Sequence, residues 1–483
     1  MTEATGEQRI VTGPDQTAAA DRESAFSLPL LSPCVAARAV AWRHGRQVAL
    51  AEFAGNVAAV AARLARGRAM INLCDDRYYF LVAYAAALSR GHTVLLPPSR
   101  AEQIVGEVER TNAGSYRCDD SDVEAALRAH DHARANESFD PTLAAEQGVD
   151  NLLAKSMPNI PAASTAMIGF TSGSTGQPKA FPKLWSSIAT STRLNAASIR
   201  EELKVTPDST VWVVATVPPQ HMYGMELSIL LPLVGGMAVH EGRPLFPADI
   251  AKALAELPEP RILVSTPVHL RAIVESAQQF PATALIVSAT APLDAALAQA
   301  VEAKFGGRLL EMFGSTETCV FAHRRTAIEA SWQLYRGVEL RPLPEGTSVN
   351  APWFAAPLIL QDIVELHDGG RFTVRGRNTD LIEVAGKRAS LADITRRLLA
   401  IEGVRDAVVF QPDPEAIATI RRVAALVVAP GRSAREVLDR LAPGVDPAFL
   451  PRPLVIVESL PRNEVGKLPR EALLRALRGS GSG

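Results

Sequence analysis

Residues 166–179, Ala-Met-Ile-Gly-Phe-Thr-Ser-Gly-Ser-Thr-Gly-Gln-Pro-Lys, decide how this chain is read. An apolar run, Ala166–Phe170, enters a turn made of Thr171, Ser172, Gly173, Ser174, Thr175 and Gly176, and Lys179 follows. Gly173 and Gly176 let the backbone turn sharply and bring its N–H groups close to an anion. Ser172, Ser174 and Thr175 add hydroxyl donors, and Lys179 adds a cation. The alternatives are a phosphate cradle and an ordinary polar hairpin turn, and so many hydroxyls and glycines beside a lysine favour the cradle. A Walker A loop needs G-x-x-x-x-G-K-[ST]. Here Pro178 precedes Lys179 and Ala180 follows it, which disfavours a P-loop NTPase.

On either side of this turn, apolar runs alternate between strand and helix character. Ala51–Arg66 reads as a helix, Ala69–Cys74 as a strand, Tyr78–Ser89 as a helix and Thr93–Leu96 as a strand. Strands are expected at Val211–Val217, Ile262–Ser265, Leu285–Ser288 and Leu309–Met312, with helices at His269–Ser276 and Ala295–Phe305. That alternation predicts an α/β fold with doubly wound parallel sheets, whose ligand site lies at the C-terminal ends of the strands. Arg341–Leu358 reads as irregular, Pro- and Gly-rich sequence. After Arg371–Gly386 comes a compact α+β pattern: helix Leu391–Ala400, strands Ala407–Phe410 and Val423–Val428, helix Ala434–Leu441, strand Leu454–Val457 and helix Arg470–Arg478. The expected division is a loose tail over 1–26, a large domain over 27–376 and a small mobile domain over 377–483.

Two further motifs carry candidate chemistry. Phe313-Gly-Ser-Thr-Glu-Thr318 follows an expected strand. Gly314 suits a sharp turn, Thr316 a phosphate contact and Glu317 a hard cation; the plainer reading is a helix N-cap. Pro461-Arg-Asn-Glu-Val-Gly-Lys467 places Lys467 after Gly466 on a turn, where a lone lysine is commonly a solvated surface charge.

Taken together and in this order, TSGSTGQPK, FGSTE and PRNEVGK resemble the phosphate loop, the aromatic-Gly-x-Thr-Glu motif and the C-terminal lysine motif of the adenylate-forming superfamily of acyl-CoA synthetases, aryl ligases and adenylation domains. Ser288-Ala-Thr-Ala-Pro292 resembles its adenine-packing turn, Asp362 its ribose aspartate, and Gly376-Arg377 with Gly386-x-Arg388 its crossover segment. The likeness runs from about Ala36 to Leu477. It implies ATP and Mg²⁺ as cofactors, with Mg²⁺ at Glu317, and catalytic roles for Lys467, Glu317, Thr316 and His221. Nucleotide contacts are implied for Thr171, Ser172, Gly173, Ser174, Thr175, Gly176, Lys179, Ala289, Thr290, Ala291, Phe313, Gly314, Asp362 and Arg377. The chain departs from the family pattern at Leu360-Gln361, where Thr-Gly precedes the ribose aspartate, at the hinge residue Thr379, and at Asp393 in place of a glutamate.

The implied activity adenylates a carboxylic acid, releases pyrophosphate and passes the acyl group to a thiol of CoA or phosphopantetheine. His221 in Pro218-Pro-Gln-His-Met-Tyr-Gly224 stands where amino-acid-activating relatives carry an aspartate, which favours an aryl or acyl acid; a satisfied loop histidine is the plainer reading. Residues 218–236 resemble ligases of aryl-polyene and xanthomonadin-type pigment pathways, which implies a hydroxybenzoate-like acid and a standalone acyl carrier protein. The competing readings are a medium- or long-chain fatty acyl-CoA synthetase and a non-catalytic scaffold that keeps the fold. His130-Asp-His132 reads as a solvated helical face rather than a metal pair, and His323-Arg-Arg325 as either a phosphate contact or a surface cluster.

Composition agrees with this reading. At 483 residues the chain exceeds one ordinary domain, and 47% hydrophobic content excludes general disorder. A net charge of −2 disfavours nucleic acid as a partner. It conceals a C-terminal segment, 377–483, of 17 basic and 13 acidic residues. Cys34, Cys74, Cys118 and Cys319 form no C-x-x-C pair, which disfavours zinc and disulfide frameworks. No apolar signal segment or membrane span is legible, so a cytoplasmic location is expected, with the thiol acceptor supplied from outside the chain.

Overall fold

The computed structural model describes residues 11–12, 26–32, 38–136, 157–172, 178–343, 346–354, 356–377, 381–384, 387–412, 423–463 and 466–479. The chain divides into two compact units. The larger comprises Pro14–Gly337 with Ala351–Ala355; the smaller comprises Met1–Gly13, Val338–Asn350 and Ala356–Gly483.

Two sheets build the larger unit. The first runs in the order Pro178–Leu184, Thr165–Ser172, Thr93–Leu96, Ala69–Asn72, Ser115–Cys118. The last four strands are parallel, and Pro178–Leu184 is antiparallel to Thr165–Ser172. The second sheet holds a parallel run of six strands: Arg308–Ser315, Leu285–Ser288, Arg261–Ser265, Trp212–Ala215, Ala238–His240 and Ala39–Arg43. Antiparallel strands Cys319–Arg324 and Trp332–Leu334 extend one edge, and Arg46–Ala49 the other. Strands such as Ile262–Val264 and Leu285–Val287 are buried on both faces, as helix-covered parallel strands must be.

The helix Arg77–Ser89 explains how the two sheets join. Its residues from Tyr78 to Leu88 are almost entirely apolar, and all but Tyr79 are buried. A helix without a polar face has to be enclosed. It touches Thr93–Leu96 of one sheet and Ala238–His240 of the other. Asp76 caps its start by accepting the Tyr79 amide at 2.8 Å.

The smaller unit contains the α+β pattern expected after residue 377. Asp406–Phe410, Ala424–Val428 and Leu454–Ile456 form a three-stranded sheet. Strand alternation in its central member sends Ala425 and Val427 into one core with Ile394, Leu398 and Val437. Ala424, Leu426 and Val428 enter a second core with Leu460 and Leu473. A capping box of Ser433 and Glu436 starts the helix Ala434–Leu441.

One expectation needs revision. Part of 341–358, expected to be irregular, is sheet: Glu339–Leu343, Gly346–Asn350 and Leu358–Leu360 pair, with Val11–Thr12 at the edge. Short strands punctuated by Pro342 and Gly346 give no readable alternation, so pairing alone defines them. The smaller compact unit takes in Val338–Asn350 as well as Ala356–Gly483. Of the expected N-terminal tail, only 11–12 and 26 are described.

Candidate active site

The phosphate-loop motif is carried on a β-hairpin. Lys179 stands opposite Thr171 in register, and Pro178 opposite Ser172, so residues 173–177 connect two paired strands. Gly173, Ser174, Thr175 and Gly176 lie outside the described residues, and Thr171 and Ser172 are described by backbone only. The hairpin reading and the cradle reading are compatible: the pairing fixes where the loop begins and ends. Lys179 is exposed, its Nζ 5.2 Å from the Phe181 ring centroid.

The FGSTE motif is also a hairpin turn, not a helix N-cap. Arg308–Ser315 returns as Cys319–Arg324. Ser315 N donates to Thr318 Oγ1 at 3.0 Å, and Thr318 N donates to Ser315 Oγ at 3.2 Å. Gly314 is required by space, since a Cβ there would lie 2.1 Å from the Cys319 carbonyl oxygen. Cys319 takes φ +61°, a left-handed conformation uncommon without glycine. The Phe313 ring packs at 5.3 Å from Phe321 and 4.9 Å from Trp332.

The structure brings these two motifs together. A Cβ on Gly169, in the strand leading to the phosphate loop, would meet Thr316 Cγ2 at 3.3 Å. Lys183, on the returning strand, is 6% exposed and donates from Nζ to the Glu317 carbonyl. Thr316 and Glu317 therefore sit beside the strand that delivers Thr171.

The loop that carries His221 follows Trp212–Ala215 at the C-terminal end of the parallel sheet. His221 precedes a short helical turn, Met222–Gly224. Tyr223 pins that turn by donating to the carbonyls of Ser265 at 3.1 Å and Val287 at 2.9 Å. Gly224 packs so closely that a Cβ would lie 2.0 Å from the Pro218 oxygen. Below the loop, Arg77 is fully buried and donates to the carbonyls of Ala215 and Val217 at 2.9 and 2.8 Å. Burial pushes its guanidinium down to about 9. Thr216 Oγ1 bonds His269 Nδ1 at 2.9 Å, and burial lowers that imidazole's pKa.

In the adenine-type turn, Ala289 is buried and Thr290 takes φ +82°. A non-glycine held there is a backbone outlier of the kind that collects at functional sites. Asp362 belongs to the smaller unit. It opens the strand Asp362–His367, is buried, and its carbonyl accepts Thr347 Oγ1 at 2.6 Å. Arg377 ends the paired strand Arg371–Arg377, and Thr379, Asp380 and Gly386 lie outside the described residues.

Lys467 is exposed on a turn of the smaller unit. Asn463 N donates to the Lys467 carbonyl at 2.8 Å, and Lys467 N donates to Asn463 Oδ1 at 2.9 Å. Gly466 takes φ +77°. Arg462 clamps the turn: Nε and Nη2 bond Asp406 at 3.0 and 2.9 Å, and Nη1 bonds the Gly466 carbonyl at 2.8 Å. This bidentate pair escaped the sequence reading because Asp406 lies 56 residues earlier.

The basic cluster after FGSTE is consumed by ion pairs rather than offered to phosphate. Arg324 bonds Glu311 at 2.7 Å and stacks over Trp332, and Arg325 bonds Glu302 at 2.8 Å and Glu202 at 3.3 Å. His130 and His132 lie on the helix Asp120–Asn136, with His132 exposed. Among the described residues, no three His, Cys, Asp or Glu side chains gather to hold a metal. A single carboxylate such as Glu317 is of the chemical kind that binds Mg²⁺ together with substrate phosphates. Among the described residues no helix is long and apolar enough to cross a membrane.

Known proteins resemble the chain in sequence and in fold. The chain is 32% identical over 234 residues to a 4-coumarate–CoA ligase of Rhodobacter capsulatus, covering 48% of this chain and 57% of that protein, less than two thirds of its length. It is 21% identical over 336 residues to a 3,4-dihydroxybenzoate–[aryl-carrier protein] ligase of Bacillus anthracis, covering 65% of this chain and 75% of the relative. The structure superposes on the anthranilate CoA ligase AuaEII in complex with anthranoyl-AMP with a TM-score of 0.72 at 16% identity, covering 94% of this chain and 99% of the other, a likeness of fold. Residues 34–350 match the model of the AMP-binding enzyme family, and the chain belongs to that family.

Proposed function

We propose that this chain is an ATP-dependent acid–thiol ligase acting on an aryl acid. The carrying observation is the packing of the phosphate-loop hairpin against the Thr316–Glu317 turn, through Gly169 and Lys183. In the first half-reaction an acid oxygen bonds the α-phosphorus of ATP, and the bond to the pyrophosphate oxygen breaks. Both partners are anionic, so donors aimed at the developing charge lower the barrier. Backbone and hydroxyl donors of Thr171–Gly176, Thr316 and the Lys467 ammonium supply them, and Asp362 binds the ribose. Mg²⁺ held at Glu317 would supply further charge neutralisation. In the second half-reaction a thiolate bonds the acyl carbon and AMP leaves with the electron pair. The segment after Arg377, carrying Lys467, moves between the two steps.

Two features support an aryl acid. By the family resemblance, His221 stands where amino-acid-activating relatives carry an aspartate, and the chain's relatives include ligases named for 4-coumarate and 3,4-dihydroxybenzoate. The acceptor is the thiol of CoA or of phosphopantetheine on a separate carrier protein. The test is pyrophosphate release with a panel of hydroxybenzoic, cinnamic and fatty acids, each offered CoA and a holo carrier protein. Hydroxylated aryl acids should give the highest rates, and the better of the two thiols identifies the acceptor. A preference for fatty acids with CoA overturns the substrate assignment, and no release with any acid favours a scaffold.

The Arg462 clamp gives a further expected result. Arg462→Ala frees the turn that carries Lys467, and a misplacement of about 1 Å costs about 100-fold. Adenylation should fall at least about 10-fold, with thioester formation from supplied acyl-adenylate unchanged. Equal losses in both half-reactions would remove the assignment of the clamp to adenylation.

A further inference from the structure

Behind the Thr316–Glu317 turn lies a buried polar network of residues to which the sequence reading gave no role. Glu226 is 1% exposed and stands on a π-helical stretch, Met225–Leu230, directly after the His221 loop. Such π-bulges concentrate at functional sites. Its carboxylate accepts the Val320 amide at 3.2 Å on both oxygens, Ser191 Oγ at 2.8 Å and Asn195 Nδ2 at 3.2 Å. Tyr335 OH orients Asn195 by donating to its Oδ1 at 2.8 Å. On the other side of the turn, the Lys183 ammonium donates to the Glu317 carbonyl.

We propose that Glu226 and Lys183 are positioning residues that hold the Glu317 turn in its working conformation and register it against the His221 loop. Resting on the ligase reading above, this deepens it by assigning residues that touch no reacting atom. The geometry supports the role in three ways. First, the two side chains grip main-chain groups on either side of Thr318 and Cys319, the segment that contains the left-handed Cys319. A backbone in that region persists only where its surroundings over-determine it. Second, both grips come from distant sequence: Glu317 is 134 residues after Lys183, and Val320 is 94 after Glu226. They tie the turn to the phosphate-loop hairpin and to the segment following His221. Third, the Glu226 carboxyl is held by partners rather than left alone: burial raises its pKa, and the bonds from Ser191, the Val320 amide and Asn195 oppose that rise, with a smaller contribution from the Lys183 charge. An uncompensated buried charge is costly, so neither residue is a neutral bystander.

The proposal separates main-chain positioning from fold maintenance by comparing Lys183→Met, Lys183→Arg, Glu226→Gln and Ser191→Ala in the full chain. For each, three quantities are read: acid-dependent ATP–pyrophosphate exchange against Mg²⁺ concentration, calorimetric binding of ATP with and without Mg²⁺, and thermal melting. Lys183→Met and Glu226→Gln should lower exchange kcat about 10- to 100-fold, the range for a misplaced catalytic group. The KM for acid should stay within about twofold. The Mg²⁺-dependent gain in ATP affinity should shrink in the same variants. Lys183→Arg keeps a cationic donor and should recover most of the loss. Ser191→Ala removes one donor and neither charge, so it should shift exchange in the same direction by a few fold while still folding.

Losses that track only the folded fraction, with the Mg²⁺ response unchanged, would overturn the proposal. So would equal loss in thioester formation from supplied adenylate, or no rescue by Lys183→Arg. Wild-type protein without exchange activity for any acid would overturn the ligase reading instead, and the calorimetric comparison would still decide whether Lys183 and Glu226 shape the Mg²⁺–ATP site.

Discussion

Lys467→Ala is expected to abolish acid-dependent ATP–pyrophosphate exchange while leaving thioester formation from preformed acyl-adenylate within about twofold. The reason is electrostatic and specific to one step. A carboxylate approaching the α-phosphate brings together two anions, and charge builds further as pyrophosphate departs. A positioned cation acts where that charge develops, and losing one such donor typically costs about 10²–10³ in rate. The second step joins a thiolate to an acyl-adenylate already formed, and its charge develops on the acyl oxygen instead. Lys467 is exposed, and its turn is closed by main-chain and Asn463 bonds that alanine retains. The substitution should therefore leave thermal stability within about 0.5 kcal/mol, as for an ordinary surface position. Melting measured beside both half-reactions separates chemistry from folding. Unchanged exchange in the alanine variant would remove Lys467 from the mechanism, and a matching collapse of thioester formation would make it general rather than step-specific.

The contrast between Lys467 and the residues that hold it shows what the sequence can carry. Lys467, Glu317 and Lys179 stand in short local motifs whose resemblance to those of a known family marks them as candidates without coordinates. Thr93–Leu96, Leu285–Ser288, Ala295–Phe305 and Ala434–Leu441 were equally legible, because their apolar runs have the period and length of their elements. The residues that keep the turns in place were not. Glu226 sits in the apolar stretch Met225–Val234 and Lys183 in a strand, and each finds its partner across about a hundred residues of chain. Nothing local distinguishes them from any other buried charge until the sheets form. Arg324 and Arg325 show a choice the sequence leaves open: a basic pair beside a candidate phosphate motif reads equally as a ligand contact or a surface cluster, and the structure gives both to Glu311, Glu202 and Glu302. The one cue available for Glu226 was a carboxylate in an otherwise apolar run, a residue type seldom buried without partners.

Gly314→Ala should be as damaging as loss of the lysine, by a steric route. The added Cβ would lie 2.1 Å from the Cys319 oxygen, 2.7 Å from its carbonyl carbon and 2.7 Å from Val320 Cα. All three are backbone atoms of the opposing strand, so no side chain can move aside. Relief requires the hairpin to open at the turn that carries Thr316 and Glu317. Overpacking of this kind costs about 1–3 kcal/mol, and opening by even ~1 Å would cost about 100-fold in adenylation. Gly106 provides the matched control. It lies within the helix Glu102–Thr111, and a Cβ there meets nothing within 4 Å. Gly106→Ala should stabilise the protein by up to about 1 kcal/mol through helix propensity, with exchange activity unchanged. The pair therefore separates a glycine needed for closeness at the turn from one that the fold merely tolerates. If Gly314→Ala kept near-normal exchange, the hairpin would have room to deform without consequence, and Glu317 could not be acting from the conformation seen here. If it lowered melting and exchange together while Lys183→Met lowered exchange alone, the turn would be shown to depend on close backbone packing for its stability and on Lys183 for its alignment.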